Sequence, residues 1–518
     1  MPAAENGREP ATEKALSHLM WDAMFATVVG SLNSGVVLVA YALYFGASNK
    51  IIGLLAAVPL LSQLLQAPAV LLVERVRRRR LISVASLFIA RLALPLMALL
   101  SFIPDARLAL GLLVIAETVH CAFNAVAACS WNSWIRDLVP EQRLGAFFAR
   151  RTIWATLTGL AGSIIAGFAI ERAGASGPSL PFILLYMAGF VAGLVSTWHL
   201  SRVAEPSMSK PDQKLNLRRL LRAPLHDRNF RRVIVFLASW QFAVNAASPF
   251  FTVYFLQQLN YGMAFVMILS VVSQGANVIV LRAWGRISDR FSSKTALSVA
   301  APLYLACIGL MVVASQIDNR QALSVFLLVL HIFMGMAAAG VGLATSALSM
   351  KLAPRGGATP YVAASALFGA AAAGIAPIIG GQFADFFAAR QLGLTLNWRD
   401  PGGVYQVLSL TLSHWDFYFL ISAVLGIYAL HRLTAIEEQG EVGRDALLGE
   451  VLARAREGVR NASPVVGLRA ISGFPGGALI AFNQRRTAFR QRWRRDIQAD
   501  VVWRQGSGEE GPEAAAQP

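Results

Sequence analysis

Gly285-Arg286-Ile287-Ser288-Asp289-Arg290-Phe291-Ser292-Ser293-Lys294 lies between two greasy stretches. So does Val70-Leu71-Leu72-Val73-Glu74-Arg75-Val76-Arg77-Arg78-Arg79, 215 positions earlier. Each segment carries an acid followed by arginine, then a basic cluster a few residues on. One loop type recurring at the same place in two apolar arrays predicts a chain of two matching halves.

Other pairs hold nearly the same spacing. Pro140 and Pro354, Gly167 and Gly381, Glu171 and Asp385, and Glu117 and His331 are each 214 apart. One coincidence is cheap, but several at a constant offset argue for duplication. Internal repeats of this kind are typical of secondary transporters, whose site lies between the repeats.

The composition sets the environment. Of 518 residues, 56% are hydrophobic and only 14% charged, where a soluble domain carries about 25% charged residues. Apolar runs of about 20 residues cross a bilayer as helices, because hydrocarbon offers no partner for free backbone groups. We expect an all-α polytopic membrane protein: twelve transmembrane helices in two pseudo-symmetric six-helix bundles. The expected spans are 21–45, 50–73, 81–103, 107–134, 152–171 and 180–200, then 232–257, 262–284, 295–315, 321–350, 361–388 and 414–434. The expected domains are an N-terminal segment (1–20), a first bundle (21–200), a linker (201–231), a second bundle (232–434) and a basic tail (435–518). The polar N-terminus shows no cleavable signal peptide.

A net charge of +17 often marks a nucleic-acid binder. Here the charge sits in loops and the tail, so no nucleic-acid partner is expected. Lys and Arg accumulate on the cytoplasmic side of a membrane. Arg75 and Arg77 to Arg80, Arg136, Arg143, Arg150 and Arg151, and the central linker share one side. We therefore expect both termini in the cytoplasm, and we expect the protein in the plasma membrane. Cys121, Cys129 and Cys307 fall in apolar spans and give neither a disulfide framework nor a metal spacing. No cofactor is expected.

These features resemble the major facilitator superfamily over about residues 20–434. That family's loop between spans two and three, repeated between eight and nine, reads Gly-x-x-x-Asp-Arg-x-Gly-Arg-Lys. Gly285, Asp289, Arg290 and Lys294 match it, with Ser292 and Ser293 in place of the second Gly and the Arg. The first copy keeps Glu74-Arg75 and lacks both glycines. The resemblance implies a cytoplasmic latch at these six residues that opens as the halves rock. Trp131-Asn132-Ser133-Trp134-Ile135-Arg136-Asp137-Leu138-Val139-Pro140 is similar to the end of span four in bacterial members, and its tryptophans read as interfacial anchors. Gly374-x-x-Pro377-x-x-Gly380-Gly381 resembles the kink motif of drug–proton antiporters but stands in span eleven instead of five. Close helix packing by small residues explains it equally well.

Ionisable groups inside spans are expensive and usually functional. Glu117, His120 and Asn124 share one helix face by their spacing. In this superfamily spans one, four, seven and ten line the cavity, so Glu117 and His331 would face each other at the midplane and bind protons or solute. A structural ion pair between Glu117 and Arg91 competes with that reading, as does a hydrogen-bonded core histidine at 331. Asn33, Gln241 and Asn245 fit a cavity lining, or bridge helices. Asn33-Ser34-Gly35 and Pro249 mark places where spans one and seven would bend. The tail around 446–459 and 485–495 reads as a basic amphipathic surface for anionic lipid.

Together these readings give a secondary active transporter that moves a small-molecule solute by alternating access, driven by a gradient of protons or of substrate. Its other partner is the lipid bilayer. The alternatives are an uncoupled facilitator, a flippase for lipid-like solutes, or a non-transporting receptor or assembly factor on the same fold. An intramembrane enzyme finds no support, because no Gly-x-Ser-x-Gly, His-Glu-x-x-His or paired intramembrane aspartates occur. No Gly-x-x-x-x-Gly-Lys loop is present for ATP.

Overall fold

The computed structural model describes residues 8–33, 35–139, 141–173, 179–206, 208, 217–290, 292–354, 358–400 and 403–438. Among them, twelve helices are long and apolar enough to cross a bilayer. In the first half they are Glu13–Tyr44, Asn49–Val76, Arg79–Phe102, Ala106–Leu138, Arg150–Arg172 and Leu180–Ser201. In the second they are Arg228–Gln258, Met263–Ser288, Ser293–Ala314, Arg320–Lys351, Pro360–Phe387 and Trp415–Thr434. We call these spans one to twelve. Their surfaces carry exposed Ile115, Ile279 and Val424, the apolar exterior that lipid requires.

The bends expected in spans one and seven are present. The first span breaks between Asn33 and Val36 at Gly35, whose φ of 59° favours glycine. Span seven breaks after Ala247, at Pro249, and continues in a wider turn over Tyr254–Gln258.

The halves share internal fastenings. Asp105 caps span four by accepting from the amides of Arg107 and Leu108 at 2.9 and 3.4 Å. Asn319, at the matching place, caps span ten from Gln321 and Ala322 at 2.9 and 3.0 Å. Such caps satisfy the free N–H groups of a first turn. The Tyr41 hydroxyl donates to the Met97 carbonyl at 2.8 Å, and that of Tyr254 to Met311 at 3.4 Å.

The linker joins the ends of spans six and seven; we call that the linker end and the opposite one the far end. At the far end the halves interlock. Spans two and eleven are packed so closely that a β-carbon on Gly53 would overlap the Pro377 carbonyl, and one on Gly381 the Asn49 carbonyl. Spans five and eight meet the same way, with Gly167 against Met267 and Ala264. The small-residue packing reading of span eleven therefore holds. Two carboxylates complete the seam. Asp385 of span eleven accepts from the amides of Asn49 and Lys50, each at 3.2 Å. Glu171 of span five accepts from that of Ala264 at 2.7 Å. Each caps the first turn of a helix in the other half, where the dipole favours an anion. Toward the linker end, Gln66–Val76 of span two leaves span eleven and packs on span four.

Between spans eleven and twelve, where only a connection was expected, stands an antiparallel hairpin of β1 (Gln391–Asp400) and β2 (Gly403–Ser413). Its register pairs Leu392 with Leu412, Leu394 with Leu410 and Leu396 with Leu408, and shifts after Leu396. The lipid-surface segments expected near 446–459 and 485–495 lie outside the described residues.

Candidate functional site

The first half holds a column of polar groups along one face of span six. Tyr186, Gly189, Gly193 and Ser196 recur at helical spacing, so they share that face. The Tyr186 ring lies 5.2 Å from that of Tyr41, and Tyr186 is within electrostatic reach of Glu117. The bare face of Gly189 makes room for the Asn33 side chain of span one, and that of Gly193 for the stem of Arg91 from span three. Ser196 donates to Asp22 Oδ1 at 2.7 Å. Asp22, Asn33, Arg91 and Glu117 are all buried, at 2–4% exposure, far below what isolated charged groups tolerate in apolar surroundings.

The carboxyl and guanidinium groups of this region, Asp22, Arg91, Glu117 and Arg151, keep apart from one another. Among the described residues no ion pair within 4 Å joins them. Neutral partners hold them instead. The Cys121 thiol donates to Glu117 Oε1 at 3.1 Å. Arg91 donates to Asn124 Oδ1 at a long 3.5 Å, and the Arg151 guanidinium stacks 4.6 Å above the Trp131 ring. Arg91 and Arg151 both act electrostatically on Asp22. The competing reading of a Glu117–Arg91 ion pair is therefore not what the structure shows.

Glu117, His120 and Asn124 share a helix but serve different neighbours. His120 Nδ1 lies 2.8 Å from the Ala90 carbonyl of span three, and Asn124 Nδ2 donates to the carbonyl of His120 at 2.8 Å. Across the seam, His331 Nδ1 sits 2.8 Å from its own helix's Leu327 carbonyl, and its ring packs against Phe255. No hydrogen bond or ion pair joins Glu117 to His331.

The second half contributes a cavity of about 210 Å³. Its wall is aromatic and aliphatic, with Trp240, Leu237, Val244 and Val341, and its polar points are Gln241, Tyr304 and Thr345. Asn245 donates to the Gln241 carbonyl at 2.8 Å, so of the two amides predicted in span seven only Gln241 lines this cavity. A mostly apolar wall with a few hydrogen-bonding groups is the usual make-up of a small-molecule pocket.

At the linker end each half closes on itself. Arg79, fully buried, donates to the Ser133 and Pro206 carbonyls at 3.0 Å and pairs with Asp137 at 2.5 Å. Its backbone amide donates to Glu205. In the second half Glu438 receives the amides of Ser293 and Lys294 at 3.1 and 2.7 Å, and Lys294 Nζ reaches the Ile436 carbonyl at 2.7 Å. Arg79 and Lys294 are repeat mates by the 215-residue offset. Of the other residues expected to form a latch beside Lys294, Gly285 has Leu343 as its neighbour, and the Glu74 carbonyl accepts from Arg77 at 3.3 Å. Arg75 is exposed. The side chains of Asp289 and Arg290 lie outside the described ones. Trp134 is no interfacial anchor: it is fully buried and donates to the Ala204 carbonyl at 2.9 Å.

Sequence reasoning missed Asp22, Tyr186, Ser196, Tyr304 and Thr345. Asp22 follows Trp21 and reads as the polar rim of span one. The clue to the column was the Gly189–Gly193 spacing, which marks a helix face kept clear for bulky neighbours.

Comparison with known proteins gives this arrangement its context. The family model described as Major Facilitator Superfamily matches residues 23–381. The nucleoside transporter NupG superimposes with a TM-score of 0.61 at 12% identity, covering 82% of this chain and 98% of that one. A bacterial homologue of the iron transporter ferroportin, in an inward-facing state, gives 0.59 at 13% identity over 81% and 98%. A D-xylose–proton symporter gives 0.58 at 14% over 83% and 98%. At such identities these likenesses show the fold alone. No curated protein matches by sequence. With twelve apolar helices in two matched bundles and a family match over more than half its length, this chain is a membrane transporter, not an enzyme, and belongs to the major facilitator superfamily.

Proposed function

We propose that the protein is a secondary active transporter that carries a small solute across the plasma membrane by alternating access. The observation that carries this reading is the asymmetry of the seam: closed at the far end by Gly53, Gly381, Gly167 and the caps of Asp385 and Glu171, while toward the linker end Gln66–Val76 of span two leaves span eleven. Placed with the basic loops in the cytoplasm, this is a carrier open inward. The solute meets the Gln241, Tyr304 and Thr345 cavity of the second half. Glu117, buried with a thiol as its hydrogen-bond donor, is the proton-binding group that couples solute flow to a gradient.

Two spin-label pairs test alternation on full-length protein in phospholipid vesicles. One joins Ser48 and Gln257 at the far end, the other Arg80 and Arg286 at the linker end. Their distances should change in opposite senses as pH and bound solute vary. Distances that stay fixed under every condition overturn the reading. Transport by Glu117→Gln against pH reads the coupling, and an unchanged profile removes Glu117 from it.

A further inference from the structure

The column along span six has a buried carboxyl near each end and unmet polar atoms between. Tyr186 Oη, Asn33 Oδ1 and Arg91 Nε are buried, and none has a hydrogen-bond partner among the described residues. They occupy three successive levels, between the Glu117 region above and Asp22 with Ser196 below. From Tyr186 to Ser196 is ten residues, about 15 Å of helix rise. Buried polar atoms in folded proteins are met by protein groups or by water. Three in a file, with Asn33 and Arg91 seated on the bare faces of Gly189 and Gly193, describe a narrow polar track inside one bundle.

We propose that Asp22 is a second proton-carrying carboxyl, and that it exchanges a proton with Glu117 along this track. The step breaks an O–H bond on one carboxyl and makes one on the other. The waters between hand the proton on and end as they began, so the bundle's net charge is unchanged. Arg91 stands halfway, and a fixed cation there repels an excess proton. Its hold is loose, one 3.5 Å bond to Asn124 and an unmet Nε, so it can turn. Facing Asp22, it favours the charged Asp22; turned to Glu117, it favours the charged Glu117. Arg91 is thus the switch of the relay and Ser196 a positioning residue for its lower end.

The groups around each carboxyl are specific. Asp22 faces Ser196 of span six, Arg91 of span three and Arg151 of span five. Glu117 faces Cys121 of its own helix and Tyr186 of span six, with His120 one turn along. Asp22 lies toward the linker end, so the relay would deliver protons to that side.

This inference rests on the transport reading and extends the role given there to Glu117. Infrared difference spectroscopy of the full chain in phospholipid vesicles tests it without any solute. The Glu117 carboxyl band is the one lost in Glu117→Gln. In Asp22→Asn that band should move and exchange with D₂O about tenfold more slowly, the loss expected for one hydrogen-bonded link. Asp318→Asn, at an exposed site, should leave it alone. A Glu117 band unchanged in Asp22→Asn overturns the relay. Should that variant not fold, Ser196→Ala keeps both carboxyls and must slow the same exchange; no slowing overturns the proposal equally. The spin-label distances separate the two claims. Uncoupled carboxyls with alternation intact sink the relay alone, whereas fixed distances sink the transport reading whatever the spectra show.

Discussion

The carboxylate of Asp385 reaches across the seam between the halves and accepts from the backbone amide of Lys50 at 3.2 Å. Its repeat mate Glu171 does the same for Ala264. Each is a helix cap supplied by the opposite domain, so it exists only while the far end is shut. Replacing Asp385 or Glu171 with alanine should weaken closure by about 1 kcal/mol apiece. The Ser48–Gln257 distance distribution should broaden toward longer separations, most in the double variant. A double variant with an unaltered distribution would show that the glycine packing alone holds the seam.

Gly53 and Gly111 make a matched pair of substitutions. A methyl at Gly53 meets the Pro377 carbonyl, which is backbone and cannot step aside, whereas Gly111 has open space around it. Gly53→Ala should lower stability by about 1–3 kcal/mol and open the far end. Gly111→Ala should raise it by about 0.5–1 kcal/mol, as alanine does in a helix interior. Thermal unfolding in detergent distinguishes the two signs.

Arg79 serves acceptors on two other segments, span four and the chain after span six. Asp137, about half exposed, regains water when the arginine is removed, so most of the loss falls on the unpaired carbonyls. We expect Arg79→Ala to cost about 3 kcal/mol. Arg79→Lys should fall between it and the wild type, because an ammonium cannot match a planar fork. Equal melting points for all three proteins would refute this account.

His414, at the root of the hairpin just outside span twelve, predicts a pH slope. Burial holds its imidazole below the ordinary histidine range, against the opposing pull of the Ala384 carbonyl and Asp385. The folded form therefore binds fewer protons than the unfolded form just below the ordinary value of about 6.5. Stability should fall as pH drops through that window and hold above it. His414→Gln should flatten the slope in melting temperature below neutral pH; an unchanged slope assigns it elsewhere.

Much of the fold was legible because hydrocarbon enforces a simple rule, a long apolar helix for every crossing. Span boundaries read from the sequence, such as 180–200 and 361–388, lie within a residue or so of Leu180–Ser201 and Pro360–Phe387. The constant offset also picked out Glu171 and Asp385 before their shared task was visible. Which way a side chain turns was not legible. His120 and Asn124 share a face with Glu117 on paper, yet they serve span three, because three-dimensional neighbours decide a buried polar group's partner. Arg79 looked like one of a run of loop arginines and is the most deeply buried of them. The hairpin was missed although Leu392, Leu394 and Leu396 alternate with Gly393 and Thr395 ahead of Gly402-Gly403, the period-two and turn signals of paired strands.

The paired caps carry a consequence for inheritance. Because each bundle holds down its twin with its own acid, damage to either gene segment leaves a working clasp on the other side. Closure then fails by degrees instead of all at once, since losing one acid leaves the other holding the molecule sealed.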